Sequence, residues 1–175
     1  HIEDAEVFLR TAHLVAIDTT AIAQPVSAYK NTVNPNGLDG KEICALARYA
    51  GISNTVQSFG IFSMEQSTNP KQTHLLWAQI LWYFIEGVNL RIQEGDFSNP
   101  KAFMTYKVLL ADNDTITFKK SLKSNRWWME VPFTPTSNNN LNSATLLPCT
   151  YQDYQEACQQ EIPERWYRAR RKNEL

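Results

Sequence analysis

The chain is poor in cysteine and has no pair of cysteines at metal-binding spacing. Its 175 residues include three, Cys44, Cys149 and Cys158, and no C-x-x-C motif. The odd number argues against a disulfide framework, and the missing motif argues against a structural zinc site. This usage is typical of a reducing compartment, so we expect a cytoplasmic protein.

A strong net charge and a long apolar run are also missing. The formal net charge is −1, which gives no general attraction to nucleic acid or to a membrane surface. The most apolar segment, 75–88, contains Gln79 and Glu86 and is shorter than the ~20 residues that span a bilayer. No secretory signal is visible. We expect neither nucleic acid nor a membrane as a partner, and we interpret 75–88 as a core helix buried on more than one side.

The first hundred residues alternate between strand and helix patterns. An apolar run at 14–18 predicts a buried strand, and Asp39 with Glu42 at capping-box spacing opens a helix. A second strand is predicted at 56–64 and a long helix at 72–86. This order favours an α/β fold with parallel strands and right-handed crossovers.

The pattern changes after residue 100. Runs at 105–110 and 115–119 flank an Ala-Asp-Asn-Asp sequence, which predicts an antiparallel hairpin with an Asx-rich turn. A third short strand is predicted at 126–133, followed by an exposed polar loop at 134–147. Two helices are then predicted, one opened by Thr150 at capping-box spacing and a basic one from Pro163.

Two acids follow the predicted parallel strands. Asp18 ends the first strand and Glu65 follows the second. Ligands of α/β sheets bind at the carboxyl ends of strands, so both acids are candidate site residues. The simpler alternatives are that Asp18 caps a turn or pairs locally, and that Glu65 is a plain loop residue or forms an ion pair.

Other candidate groups have simpler explanations. No spacing supports Cys149 as a nucleophile with His13 or His74 as its base; His13 is interpreted as a core histidine and His74 as an exposed one. Neighbouring strand residues face opposite sides. One tryptophan of the pair Trp127-Trp128 is therefore expected in the core, and the other as a cover for a partner surface. The basic carboxyl end is interpreted as a solvated helix face.

Four motifs, in order, resemble those of the ureohydrolase family, which includes arginase, agmatinase and formiminoglutamase. They lie within residues 7–88, about half of the chain. Residues 18–25 match D-x-D-x-x-D-P, and 35–42 match P-G-G-L-T-x-x-E. Residues 59–65, followed by Asn69-Pro70, match G-x-D-[IV]-V-E-x-N-P, and Thr73 and Gly87 match a threonine and the end of the following helix. The resemblance implies that residues 1–100 are the C-terminal half of a three-layer α/β/α arginase-like domain. Residues 101–175 would then be an antiparallel β and helical extension.

The chemistry implied by the resemblance is hydrolysis by a pair of manganese ions, whose bridging water attacks a guanidinium or formimino carbon. Asp18 matches a metal ligand and Glu65 a substrate-binding acid. The chain departs from the pattern at Thr20, which replaces the second aspartate, at Ala23 near the third, and at Phe62, which replaces another acid. The family's G-G-x-H and D-A-H-x-D motifs, which belong to the N-terminal half, are not in this sequence.

These departures favour a non-catalytic, arginase-like protein with a structural, regulatory or assembly role. No catalytic residue is assigned, no cofactor is expected for this chain, and Asp18 and Glu65 are interpreted as vestigial. The alternative is a manganese-dependent hydrolase of linear amidine C–N bonds whose remaining ligands lie upstream. The expected partner is the missing N-terminal half or another copy of the chain, and a homo-oligomer is expected.

Overall fold

The computed structural model describes residues 2–24, 26–31, 34–111, 114–132 and 145–173. The chain is a mixed α/β protein that divides into two compact units, 1–93 (unit 1) and 94–175 (unit 2). The assignment of 1–100 and 101–175 to a family domain and its extension stays a prediction.

Unit 1 has the predicted order of strand, helix, strand and helix. Its elements are α1 (Asp4–Leu9), β1 (Leu14–Asp18), a 3-10 helix (Thr19–Ala21), α2 (Gly40–Ile52), β2 (Ser58–Phe62) and α3 (Pro70–Asn89). The strands β1 and β2 pair in parallel, with Leu14 opposite Ser58 and Asp18 opposite Phe62. The predicted parallel pairing is therefore confirmed, whereas the three-layer arrangement stays a prediction.

Side-chain caps fix where the two long helices of unit 1 begin. The Asp39 carboxylate accepts hydrogen bonds from the backbone N–H groups of Lys41 and Glu42 at 2.7 and 2.8 Å. The Glu42 carboxylate accepts one from the Asp39 N–H at 2.9 Å, which completes the predicted capping box of α2. Asn69 caps α3, and Pro70 occupies its first turn.

The core of unit 1 lies on one face of the strand pair. Phe59 of β2 stacks on Phe84 of α3 with ring centroids 4.3 Å apart. The buried apolar residues of this core come from β1, α2, α3 and the end of the 3-10 helix: Ile17, Ile22, Ile43, Cys44, Ala47, Leu76 and Ile80. The prediction that β1 is buried is wrong for most of the strand, since only Ile17 is buried. The reason is that the described helices cover a single face of the sheet.

Unit 2 is an antiparallel sheet with two helices. Its elements are β3 (Phe103–Leu109), β4 (Thr115–Ser121), β5 (Trp127–Val131), β6 (Thr145–Cys149), α4 (Tyr151–Cys158) and α5 (Glu164–Asn173). The strands lie in the order β3-β4-β5-β6. The predicted hairpin is confirmed, although Asp112 and Asn113 of its turn lie outside the described residues. Most of the predicted loop at 134–147 lies outside the described residues, and its last three positions are wrong, because β6 begins at Thr145.

The two adjacent tryptophans contact different parts of unit 2. Trp127 belongs to the core cluster that includes Phe118, Met129 and Trp166. Trp128 contacts the rings of Phe97 and Phe103, with centroids 5.1 and 6.0 Å away. Each tryptophan is 7% exposed. The expectation that one of them covers a partner surface is therefore wrong, because residues of the same unit already cover Trp128.

Candidate functional site

The candidate site lies where β1 ends and the chain turns into the 3-10 helix. Asp18 is the N-cap of that helix. Its Oδ1 atom accepts hydrogen bonds from the backbone N–H of Thr20 at 2.9 Å and from the Thr20 hydroxyl at 2.8 Å. The exposed carboxylate thus caps a turn formed by its own neighbours in sequence.

Hydrogen bonding stabilises the charged form of Asp18. The backbone N–H of Thr20 makes the largest contribution, followed by the Thr20 hydroxyl, and the Ser63 side chain adds to them. These donors lower the pKa of Asp18 below its ordinary value. Thr20, which is matched to the family's second aspartate, therefore donates hydrogen bonds to Asp18, which is matched to the first.

A buried threonine joins the ends of the two parallel strands. Thr19 is fully buried, and its hydroxyl donates to the Ser63 carbonyl oxygen at 2.6 Å. Ser63 has a positive φ of 59°, which non-glycine residues adopt infrequently. Thr19 was missed in the sequence because an interior threonine next to an acid has no distinctive pattern.

The segment after the 3-10 helix is held against this strand end. The Ala23 N–H donates to the Leu38 carbonyl, and the Leu38 N–H donates to the Ala21 carbonyl, both at 2.8 Å. The Asn34 amide donates to the Thr20 carbonyl at 3.0 Å. A Cβ atom on Gly37 would lie 2.5 Å from the Ala23 nitrogen, so this position of the P-N-G-L sequence requires glycine.

Glu65 lies further along the segment that follows β2. It is half-buried, two residues beyond Ser63. The structure therefore brings Asp18 and Thr19 beside Ser63, and Glu65 belongs to the same segment at the same edge of the sheet. Its role as a substrate-binding acid stays a prediction.

The threonine matched to the family's next helix has a structural contact. Thr73 is buried in the first turn of α3, and its hydroxyl donates to the Ser27 carbonyl at 2.9 Å. The Ser67 hydroxyl lies 2.7 Å from the Thr73 hydroxyl and donates to the Ala28 carbonyl. These bonds hold the segment 27–29, where Ala28 has a φ of 51°.

The residues of the described structure do not fit a centre of two manganese ions. Such a centre needs several carboxylates and histidines around each ion pair. Across the described ranges, no group of three or more His, Cys, Asp or Glu side chains is placed to hold a metal ion. His13 precedes β1 and is exposed, which makes its interpretation as a core histidine wrong; His74 is exposed, as predicted.

Unit 2 has a cleft of about 460 Å³ that is lined by Lys120, Asn125 and four aromatic residues: Tyr106, Trp127, Tyr151 and Tyr154. Tyr106 and Tyr154 stack on Trp127 with centroids 5.2 and 5.1 Å away, and Lys120 Nζ lies 5.6 Å from the Trp127 centroid. The Trp127 ring, which could stack against a ligand, is therefore already in contact with side chains of the chain itself.

The remaining candidates in unit 2 are parts of its core and of its last helix. Cys149 is fully buried, which does not suit a nucleophile. Arg170 of α5 pairs with Asp114 and Arg168 pairs with Glu164. The basic helix thus has acidic partners within unit 2.

Comparison with known proteins adds no assignment to this geometry. Neither a protein-family model nor a curated protein matches the chain. Within the described ranges, no helix is both long and apolar enough to cross a membrane.

Proposed function

We propose that the chain is the C-terminal half of a ureohydrolase-like protein with a degenerate metal site, and that it acts in assembly or regulation instead of catalysis. One observation carries the proposal. Thr20, at the position of the second metal-binding aspartate, donates both its N–H and its hydroxyl to Asp18. The order of the four motifs along a parallel strand–helix–strand–helix unit supports the family assignment.

The loss of a negative charge explains why threonine at position 20 should weaken a site for two metal ions. Two adjacent dications repel each other, and anionic ligands must offset that repulsion. A neutral threonine supplies neither the charge nor the second oxygen of a bridging carboxylate. The Thr20 hydroxyl also donates to Asp18, the one acid of this motif that the chain retains, so the two residues form a turn cap.

The alternative function is hydrolysis of linear amidine C–N bonds by the longer protein, with manganese ligands supplied from upstream. Two features favour it: Asp18 is exposed at the carboxyl end of a parallel strand, and Glu65 follows the neighbouring strand. In that case Asp18 would hold metal and Glu65 would bind the cationic group of the substrate.

Calorimetric titration with Mn²⁺ and metal analysis separate the two functions when they are made on the full-length gene product, because the alternative places its remaining ligands upstream of this chain. We expect no sub-micromolar site in the wild-type product or in its Asp18→Ala variant. A tight site that Asp18→Ala abolishes would overturn the proposal. Asp96→Ala is the matched control, because Asp96 makes the same pair of bonds with Ser98, at 2.9 and 2.7 Å, outside the resemblance.

A gain-of-charge variant sharpens the test. Thr20→Asp restores the second acid of the motif. If the substituted threonine is what weakens the site, this variant should bind Mn²⁺ more tightly than the wild type does. Equal binding by both chains would show that the substitution at Thr20 does not determine metal affinity.

A further inference from the structure

Helix α3 has two apolar faces. The buried one includes Thr73, Leu76, Ile80 and Gly87. Leu76 and Ile80 belong to the core of unit 1, and Gly87 lies against α2. At 100° per residue, the opposite face consists of Leu75, Ala78, Trp82 and Ile85. This second set is the α3 stripe.

The α3 stripe is exposed. Leu75, Trp82 and Ile85 are 57%, 72% and 58% exposed, and Ala78 is exposed with them. No Asp, Glu, Lys or Arg occurs from residue 72 to residue 85. A surface helix normally has charged residues opposite its core face, so this face has the composition of an interface.

Completion of the sheet would not cover the stripe. Additional strands would extend the sheet sideways, and helices on its far side would cover its uncovered face. The α3 stripe lies opposite the buried face of the helix. We therefore expect its occupant to come from outside the layered domain.

The stripe is symmetric about residue 80. Leu75, Ala78, Trp82 and Ile85 are spaced by three, four and three positions, and the polar residues Lys71 and Asn89 continue the pattern at both ends. In two antiparallel copies of α3 related by a two-fold axis at this level, Leu75 meets Ile85. Ala78 then meets Trp82, so a small side chain lies opposite the largest one.

We infer that the α3 stripe binds the α3 stripe of a second copy of this chain. A two-fold interface requires a surface that complements itself, and the pairing of Ala78 with Trp82 satisfies this requirement twice. Leu81 and Tyr83, 46% and 40% exposed, flank the stripe. Because a large aromatic alone contributes ~150–250 Å², each copy offers roughly 500 Å². The total of about 1,000 Å² reaches the lower limit of a biological interface and lies below the ~1,200–2,000 Å² of stable ones, so we expect a weak dimer.

A second copy of the chain would be a partner for the assembly role in the proposed function. The biological meaning of the dimer rests on that proposal, whereas its existence does not. The two fail separately. A chain that binds manganese and dimerises overturns the function but not the interface, whereas a metal-free monomer overturns the interface alone.

Sedimentation velocity of the whole chain from 1 to 100 µM tests the interface. We expect a dimer whose dissociation constant rises by about tenfold or more in Trp82→Ala, since a central aromatic is truncated, and in Ala78→Glu, since a charge is buried. The control Leu122→Ala, which removes a side chain 56% exposed in unit 2, should leave the dissociation constant unchanged. A wild-type monomer at 100 µM, or a dimer insensitive to both α3 variants, would overturn the inference.

An exchange of sizes tests the antiparallel register. Ala78→Trp alone places two tryptophans opposite each other and should weaken the dimer. The double variant Ala78→Trp/Trp82→Ala again places a small residue opposite a large one, so it should dimerise more tightly than either single variant. A double variant no better than the weaker single variant would contradict the proposed pairing, provided that circular dichroism shows all three folded.

Discussion

Asp18 and Asp96 show that a residue two positions later in the sequence is enough to supply a carboxylate with hydrogen-bond donors. Each acid accepts hydrogen bonds from the backbone N–H and from the hydroxyl of the residue two positions later, Thr20 or Ser98. The pKa of each acid is lowered by these bonds. Only Asp18 lies in the family resemblance, yet Asp96 accepts the same kinds of hydrogen bond. The geometry at Asp18 therefore follows from an Asx-type turn and requires no metal ion.

Removal of the Thr20 hydroxyl should raise the pKa of Asp18. In Thr20→Ala the backbone N–H, which is the larger cause, remains. The pKa should therefore move toward its ordinary value without reaching it. An NMR titration of the Asp18 carboxyl carbon measures this, with Ser98→Ala as a control that should shift Asp96 only. An unchanged Asp18 would mean that its hydroxyl donor does not act in solution.

The same bonds give the stability of unit 1 a defined pH dependence. Because the folded-state pKa of Asp18 lies below its unfolded value, its contribution is present above the unfolded pKa. It is lost as the pH falls through the folded pKa. Asp18→Asn should therefore make denaturant stability less dependent on pH in this acidic window and leave the slope near neutral pH unchanged. An identical acidic slope in both proteins would contradict this.

At the scale of elements, α2 and α3 make backbone contact through two glycines. A Cβ atom on Gly51 would lie 2.9 Å from the Gly87 Cα, and one on Gly87 would lie 2.9 Å from the Gly51 Cα. Gly51→Ala or Gly87→Ala should lower the free energy of unfolding by about 1–3 kcal/mol, because the helices must separate. Gly40→Ala is the control, since its Cβ would meet only Val26 at 3.6 Å. Equal melting temperatures for all three variants would refute the close crossing.

Tryptophan truncation should separate buried from exposed positions. Trp127→Ala and Trp128→Ala should each cost about 3–5 kcal/mol of unfolding free energy, because both rings are 7% exposed. Trp82→Ala, at a ring 72% exposed, should change the stability of the monomer by less than about 0.5 kcal/mol. Chemical denaturation at concentrations below dimerisation measures all three. Near-neutral changes at 127 and 128 would show that neither ring is structural.

Local signals in the sequence predicted helix starts better than they predicted burial. The capping boxes at Asp39 and Thr150 were both recognised, and both are present, because a cap depends on residues three positions apart. The strand Thr145–Cys149 was missed, since Pro148 is tolerated there only because β6 is an edge strand. The prediction that the long apolar helix is buried on more than one side is wrong, because Leu75, Trp82 and Ile85 of α3 are exposed. Apolar periodicity does not show which face has a partner.

At the scale of the whole molecule, the candidate site was predictable only in part. The positions of Asp18 and Glu65 after parallel strands follow from the order of elements. The Thr19–Ser63 bond and the Gly37 contact do not, since they join residues far apart in sequence. Each unit has its own core.

The melting temperature should depend on protein concentration if the two-copy interface exists. Dimerisation stabilises only the folded chain, so mass action favours folding as concentration rises. We expect the wild-type melting temperature to increase by roughly 1–3 °C for each tenfold increase in concentration. The dependence should weaken in Trp82→Ala, whose dimer dissociates more readily, and persist in Leu122→Ala. A melting temperature independent of concentration in the wild type would leave the exposed α3 stripe without the partner that its symmetry implies.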